Sequence, residues 1–184
     1  MSSSLRSTQR PSTPEDAPLQ TKDDVTIPAE ALPETTPLEP RDGVPQVITT
    51  LEDLEAYASE LAAGVGPLAL DAERASGFRY SQRAYLVQLR REGAGTALID
   101  PIDLPDLSVI QSATEGVEWI LHAATQDLAC LAEIGLRPTL LFDTELAGRL
   151  LGREKVGLAA LVAAELGEVL EKGHGSADWS LRPL

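Results

Sequence analysis

The chain has 184 residues, a formal net charge of −14 at pH 7 and one cysteine. This length is enough for one domain of ordinary size, and a single cysteine excludes an internal disulfide. The acidic balance argues against broad binding to phosphates, which depends largely on Lys and Arg. The first residues hold no apolar run suited to a signal peptide, and no segment is apolar enough to cross a membrane, so a cytoplasmic protein is expected.

The first 45 residues differ from the rest of the chain in composition. They hold eight of the thirteen prolines, interleaved with Ser, Thr, Asp and Glu, and no aromatic residue. Such a segment buries too little apolar surface to offset the entropy lost on ordering. We therefore expect a disordered, acidic, proline-rich tail over 1–45 and one folded domain over 46–184.

The domain is predicted to begin with a short strand at Val47-Ile48 and a helix. Thr50 is suited to the N-cap, acidic residues fill the first turn, and Gly64 ends the helix. One face of this helix is predicted to be apolar, formed by Leu51, Leu54, Tyr57, Ala58 and Leu61.

Three strand-like runs follow, at 67–73, 84–91 and 95–100. The last two are separated only by Glu92-Gly93-Ala94, which predicts a hairpin and an antiparallel, three-stranded meander.

Helices and strands then alternate. A short helix is predicted at 107–113, a buried strand at 118–122 leading into a helix capped by Thr125, and helices at 143–151, capped by Asp143, and at 158–166. A meander followed by this alternation predicts an α/β fold, with a mixed sheet and helices on its faces.

Two carboxylates end the first strand of the meander. Because side chains alternate along a strand, Asp71 and Glu73 project from the same face. A divalent cation would relieve their repulsion by accepting both as oxygen ligands. The alternative is that Glu73 simply lies at a solvated strand end.

A third carboxylate appears about fifty residues later. Asp127 follows the apolar strand at 118–122 and falls in the first turn of the predicted helix. It supplies further context for the pair formed by Asp71 and Glu73.

A basic segment lies within this acidic chain. Five arginines and no acid occur between residues 74 and 91: Arg74, Arg79, Arg83, Arg90 and Arg91. Such a stripe is suited to a phosphate backbone. A solvated edge strand is the equally weighted alternative.

Four segments in order resemble one known family. Residues 68–89 resemble the first motif of the ribonuclease D branch of the DEDD exonucleases, with Asp71 and Glu73 as its carboxylate pair. Residues 119–131 resemble the second motif, with Asp127 as its aspartate, and 141–152 resemble the helix that follows. Residues 170–184 resemble the segment that leads to the third motif.

The resemblance implies a ribonuclease H-like α/β fold and hydrolysis of RNA from its 3′ end, with single-stranded DNA as an alternative substrate. Two Mg²⁺ or Mn²⁺ ions would act as cofactors. It implies that Asp71 contacts both ions. Glu73 would hold one ion near the attacking water or the 3′-hydroxyl, and Asp127 would bind the other.

The family's third motif, a tyrosine followed four positions later by an aspartate, does not occur within these 184 residues. The tyrosines are Tyr57, Tyr80 and Tyr85, and none has an aspartate at that spacing. The C-terminal helices of the family domain are missing as well. The resemblance therefore predicts impaired activity for residues 1–184 and some exposed apolar surface.

Further residues are candidates for nucleic-acid contact. Arg83, Tyr85 and Gln88 match the family segment beside the active strand, and Arg79 adds charge. His122 is a further candidate, as a ligand or base, although a histidine at the end of an apolar strand is more often a hydrogen-bonded structural residue.

A second hypothesis from a different class is a non-catalytic interaction domain. It would keep the fold and bind RNA or a protein through Arg79 and Arg83, without needing metal.

Overall fold

The computed structural model describes residues 43–170 and 177–184. Most of the predicted tail, residues 1–42, lies outside the described residues. The strands are β1 (Val47–Ile48), β2 (Val65–Arg74), β3 (Ala84–Glu92), β4 (Gly95–Ile99), β5 (Glu118–Leu121) and β6 (Leu140–Asp143). The helices are α1 (Leu51–Ala63), α2 (Ser108–Ala113), α3 (Leu128–Glu133), α4 (Thr144–Leu150) and α5 (Leu158–Leu166). No helix in the described part of the chain is long and apolar enough to cross a membrane.

All six strands form one mixed sheet in the order β1-β4-β3-β2-β5-β6. The meander β2-β3-β4 is antiparallel, as predicted, whereas β1 pairs with β4, β5 with β2 and β6 with β5 in parallel. The mixed α/β sheet is confirmed. Because β3 lies between β2 and β4, the edge-strand interpretation of the arginine segment is wrong.

The sheet has one closed face, which holds the core. Alternate side chains of the central strands are buried there against α1 and α2. Strand residues of this closed face are Leu68, Leu70, Ala72, Val87, Leu89, Ala97, Ile99, Trp119 and Leu121. Burial of this apolar surface is the main favourable term in folding.

Helix α1 follows the sequence pattern closely. The Thr50 hydroxyl accepts a hydrogen bond from the Asp53 backbone N–H, and the helix is capped at Gly64. Four of the five predicted apolar residues are buried. Leu51 is the exception, 58% exposed in the first turn, so that expectation is wrong.

One arginine of the basic segment, Arg91, has a structural role at the end of α1. Buried Arg91 donates to the carbonyl oxygens of Leu61, at 2.7 Å, and Gly66, at 3.0 Å. A Cβ at Gly64 would lie 2.9 Å from the Glu92 carbonyl oxygen, so only glycine fits. Arg91 therefore satisfies the carbonyl groups near the end of α1 and does not face a ligand.

The connection after β5 differs from prediction. A 3₁₀ turn at Ala124–Gln126 precedes α3, whose N-cap is Asp127, and Thr125 is an exposed residue within that turn. The predicted Thr125 cap is therefore wrong. Strand β6 was not predicted, because its residues run directly into α4 and its last residue, Asp143, was interpreted as the start of that helix.

The segment 177–184 packs back onto the meander. Arg182 donates from Nη2 to the Tyr85 carbonyl oxygen at 3.0 Å and to Asp100 Oδ1 at 2.7 Å. A second contact joins Arg79 Nε to Ser180 Oγ at 2.9 Å. These two contacts fix the segment beside the loop that follows β2.

Candidate functional site

The face of the sheet opposite the core, called here the open face, carries the first two carboxylates. Leu70 and Ala72 of β2 are buried on the closed face, whereas Asp71 is exposed and Glu73 is half-buried on the open face. Gln88 is the register partner of Asp71 on β3, and its Nε2 lies 3.5 Å from Asp71 Oδ2. The strand alternation predicted from the sequence is present.

Asp127 lies at the start of α3, with only 6% of its surface exposed. Arg74, the last residue of β2, approaches it with Nη2 3.6 Å from Asp127 Oδ1. This separation is that of an ion pair and is too long for a hydrogen bond.

Asp143 shapes the loop that carries Asp127. Its carboxylate accepts hydrogen bonds from the N–H groups of Glu145 and Leu146, which confirms the predicted N-cap of α4. It also accepts from Ala123 at 3.1 Å and Ala124 at 2.9 Å. Ala123 has a φ of 54°, a conformation that costs free energy for a residue other than glycine. Asp143 thus stabilises the turn from β5 towards Asp127.

The carboxylates of the site influence one another's protonation. The pKa of Asp127 is raised to about 6, first by burial and then by the charge of Asp71, with Arg74 acting in the opposite direction. Burial also raises the pKa of Glu73, followed by the charges of Asp71 and Asp127, again opposed by Arg74. Asp143 behaves differently: burial alone would raise its pKa, but its four backbone N–H donors lower it. Asp71, Glu73 and Asp127 therefore form one acidic cluster, in which simultaneous ionisation of all three carboxylates is unfavourable.

The donor types of this cluster fit a hard divalent cation, because three carboxylates supply only oxygen ligands and repel one another without a counter-ion. The positions of these side chains do not yet form a full set of metal ligands. Within 43–170 and 177–184, no three Asp, Glu, His or Cys side chains converge in a ready metal-binding arrangement. Arg74, paired with Asp127, supplies positive charge to the cluster instead.

Two open grooves border the acidic cluster. The Glu73 groove, of about 350 Å³, is lined by Ala72, Glu73, Arg74, Ser76, Gly77, Phe78 and Ala177. The Asp71 groove, of about 340 Å³, includes Asp71, Gln88, Arg90, His122 and Thr144 in its lining. Both have room for part of a nucleotide chain.

The candidate nucleic-acid contacts separate into two groups. Gln88 and His122 line the Asp71 groove, and His122 Nδ1 lies 2.9 Å from Thr144 Oγ1. Tyr85 is buried, with the Arg83 guanidinium 5.8 Å from its ring centroid, and Arg79 is bonded to Ser180. The structure brings the first group together with Asp71 and places the second group on the loop and strand beyond Glu73.

Sequence reasoning missed two residues beside the acidic cluster. Arg74 was counted only as part of a basic segment, although it directly follows the Asp-x-Glu pair, which was the available signal. Phe78 is 52% exposed in the Glu73 groove. A large aromatic side chain in a glycine-containing loop beside such a pair could have marked it.

A family model described as 3′-5′ exonuclease matches residues 45–184. Among curated relatives, ribonuclease D from Shewanella sp. strain ANA-3 is 40% identical over 121 residues, which cover 64% of this chain and 31% of that protein. The chain spans about a third of the length of the curated relatives it matches.

Solved structures are similar to this chain as well. A Bifidobacterium adolescentis protein is 51% identical with a TM-score of 0.79, over 82% of this chain and 38% of that one. Escherichia coli RNase D, described as an exoribonuclease involved in structured RNA processing, is 31% identical with a TM-score of 0.62, over 76% and 38% of the two chains. This match confirms the expected ribonuclease H-like fold class.

Proposed function

Because this chain belongs to the 3′-5′ exonuclease family and is of the ribonuclease D type, we propose that its domain, residues 46–184, forms the catalytic centre for removing nucleotides from the 3′ end of RNA. The observation that carries this proposal is the acidic cluster of Asp71, Glu73 and Asp127. Asp71 and Glu73 lie on the open face of the sheet, each lining one of the two grooves, and Asp127 lies at the start of α3, where the charge of Asp71 raises its pKa.

The three carboxylates would hold two Mg²⁺ or Mn²⁺ ions, which supply a water-derived nucleophile at neutral pH and stabilise the charge of an in-line phosphodiester displacement. By the family resemblance, Asp71 would be the ligand shared by both ions. Glu73 would hold one ion near the attacking water or the 3′-hydroxyl, and Asp127 would bind the other.

Other residues position these ligands. Gln88 approaches Asp71 with an amide donor and restricts the orientation of that carboxylate. Asp143 stabilises the turn that places Asp127, through its bonds to Ala123 and Ala124. Positioning of this kind matters because misplaced ligands lose both affinity and rate.

The RNA would follow the two grooves past the acidic cluster. Phe78 offers an exposed aromatic surface on which a base of a single strand stacks. Arg79 and Arg83 lie on the same loop and add positive charge for the phosphates. His122 and Gln88 supply polar contacts on the side of Asp71.

For the 184-residue chain itself we propose weak activity. Its described and undescribed residues together contain no Tyr-x-x-x-Asp motif. A water-orienting general acid–base group is typically worth about 10² to 10⁴-fold in rate. Metal binding is therefore the more sensitive measurement for these residues.

The test combines Mn²⁺ binding with RNA shortening. Calorimetry should show Mn²⁺ binding by the wild type and at least about tenfold weaker binding by Asp71→Asn, which removes the shared ligand without changing its size. A 5′-labelled single-stranded RNA should shorten from its 3′ end in Mn²⁺, and Asp71→Asn should abolish the shortening. A DNA strand of the same sequence reports whether DNA is also cut.

Equal shortening by both proteins would contradict a metal-dependent nuclease at this site. Retention of RNA in EDTA by Asp71→Asn, together with its loss in an Arg79→Gln, Arg83→Gln double variant and no cleavage in any sample, would favour the non-catalytic interaction domain instead.

A further inference from the structure

Arg74, the last residue of β2, points in a direction that regular strand alternation would not give. It directly follows Glu73, so strict strand alternation would direct it towards the closed face. The pairing of β2 with β3 shifts register between these two residues: Glu73 lies opposite Leu86 and Arg74 opposite Ala84, leaving Tyr85 unpaired. Irregularities of this kind re-aim side chains next to active sites. Arg74 and Glu73 indeed line the same groove.

The guanidinium of Arg74 serves as a counter-ion within the acidic cluster. Its Nη2 lies 3.6 Å from Asp127 Oδ1, in a pair whose side chains are 25% and 9% exposed. Its positive charge lowers the pKa of Asp127 and of Glu73, opposing the mutual repulsion of the carboxylates. A divalent ion held by these acids would perform the same electrostatic role.

The contact is weak enough to be replaced. At 3.6 Å it lacks a hydrogen bond, which distinguishes it from the bidentate pair that Arg182 makes with buried Asp100, at 2.5 Å and 2.7 Å. Arg74 is also partly exposed towards the open Glu73 groove, into which a long, flexible side chain can move.

We propose that Arg74 is a built-in counter-ion that holds the Asp127 carboxylate, and that a divalent cation must displace its guanidinium from Asp127 in order to bind. This inference rests on the proposed metal-dependent function. Among the described residues Asp127 is engaged with Arg74, and a cation bound to that carboxylate would have to replace this contact. Arg74 is thus a residue that sets metal affinity and acts through Asp127.

Mn²⁺ calorimetry on four proteins tests the idea: wild type, Arg74→Gln, Arg74→Lys and Arg153→Gln. Arg153 pairs with Glu165 on α5, so its replacement removes an equal charge and an Arg–carboxylate pair away from the acidic cluster. Arg74→Gln should bind Mn²⁺ about tenfold more tightly than the wild type, because a nearby unit charge no longer opposes the cation. Arg74→Lys and Arg153→Gln should stay close to the wild type.

Melting temperatures supply a second readout. Without metal, Arg74→Gln should melt below the wild type at pH 7.5, because three acids then lie together with less compensation. Saturating Mn²⁺ should raise its melting temperature by more than it raises that of the wild type. A purely structural role for Arg74 predicts weaker metal binding in Arg74→Gln, the opposite sign.

Unchanged or weaker Mn²⁺ binding by Arg74→Gln would overturn the inference. If the wild type still bound Mn²⁺ through Asp71 in that case, the proposed function would stand. Absence of Mn²⁺ binding by every variant would overturn both.

The wild type alone provides a measurement if Arg74→Gln does not fold. The Arg74 Nε–Hε NMR resonance should shift on addition of Mg²⁺ as the ion pair is released. A Mg²⁺ titration that changes the Asp127 carboxyl resonance and leaves the Arg74 resonance in place would contradict displacement.

Discussion

The two faces of the sheet are built from the same strands, but one is apolar and buried whereas the other is largely polar and exposed. On the closed face, alternate residues of β2, β3, β4 and β5 are buried against α1 and α2. On the open face, the residues between them include Asp71, Glu73, Gln88 and Arg90, which are exposed or half-buried, whereas Leu86 opposite Glu73 is buried. Apolar burial is therefore concentrated on one face, and the carboxylates of the proposed site lie on the other.

This separation shows how the protein holds three acids that disfavour one another. The raised pKa values of Glu73 and Asp127 mean that the ionised acidic cluster costs folding free energy. The closed face supplies that free energy through apolar burial. Substitutions on opposite faces should thus change different properties of the protein.

The largest effect on stability is expected from neighbours on β5 that point to opposite faces. Trp119 is 1% exposed on the closed face, and Ile120 is half-buried. Trp119→Ala should lower the free energy of unfolding by about 3–5 kcal/mol. Ile120→Ala should cost clearly less, because its site is already partly hydrated. Urea denaturation of both variants measures the difference, and equal losses would contradict a single closed core.

Asp127→Asn should act in the opposite direction. The pKa of Asp127 in the folded protein, about 6, is above its unfolded value, so the ionised form penalises folding. That penalty is absent below about pH 4, grows as the pH rises, and is complete above about pH 6. Asp127→Asn should therefore stabilise the metal-free protein by about 2 kcal/mol at pH 7.5 and by nearly nothing at pH 4.

The matching measurement is urea denaturation in EDTA at the two pH values. The same variant should lose Mn²⁺ binding, so stability and function change in opposite directions. A destabilised Asp127→Asn at pH 7.5 would show that the acid is not under electrostatic strain.

A smaller loss is expected at Asp143, which joins the site to the remainder of the fold. Asp143→Ala removes the α4 cap and the acceptor for Ala123 and Ala124, and should cost about 1–2 kcal/mol. Mn²⁺ affinity should also fall, because the turn before Asp127 loses its support. Asp143→Asn, which keeps an acceptor oxygen, should retain more of both properties. Thermal melts and calorimetry check the pair.

The smallest effect on stability is expected at an ion pair outside both the closed face and the acidic cluster. Arg153 and Glu165 form an ion pair whose side chains are nearly half exposed. Arg153→Gln should change the free energy of unfolding by less than about 1 kcal/mol. A larger loss, measured in the same denaturation series, would mean that α4 and α5 contribute more to stability than their exposure indicates.

The sequence predicted those features that depend on local patterns. Strand alternation placed Asp71 and Glu73 together on one face, and the caps Thr50 and Asp143 are correct because each needs only its own helix. The structural features that failed depend on distant residues. The interpretation of β3 as an edge strand failed because sheet order is set by tertiary pairing. The Thr125 cap failed because the turn is fixed by Asp143, which lies twenty residues after its partner Ala123.

The site shows the same limit. The three acids were identifiable by spacing and by resemblance, and their roles stay a prediction. Arg74 was not identified, because its placement beside Asp127 comes with a register shift between β2 and β3 that no pattern within β2 reveals.

The contact between Arg182 and Asp100 anchors the segment 177–184 to the end of the meander. Ala177 of this segment lines the Glu73 groove, and Ser180 is bonded to Arg79. Detachment of residues 177–184 would therefore widen the groove and free the loop that carries Phe78. One opening equilibrium should thus govern both the access of a nucleotide to the groove and the protease resistance of residues 177–184.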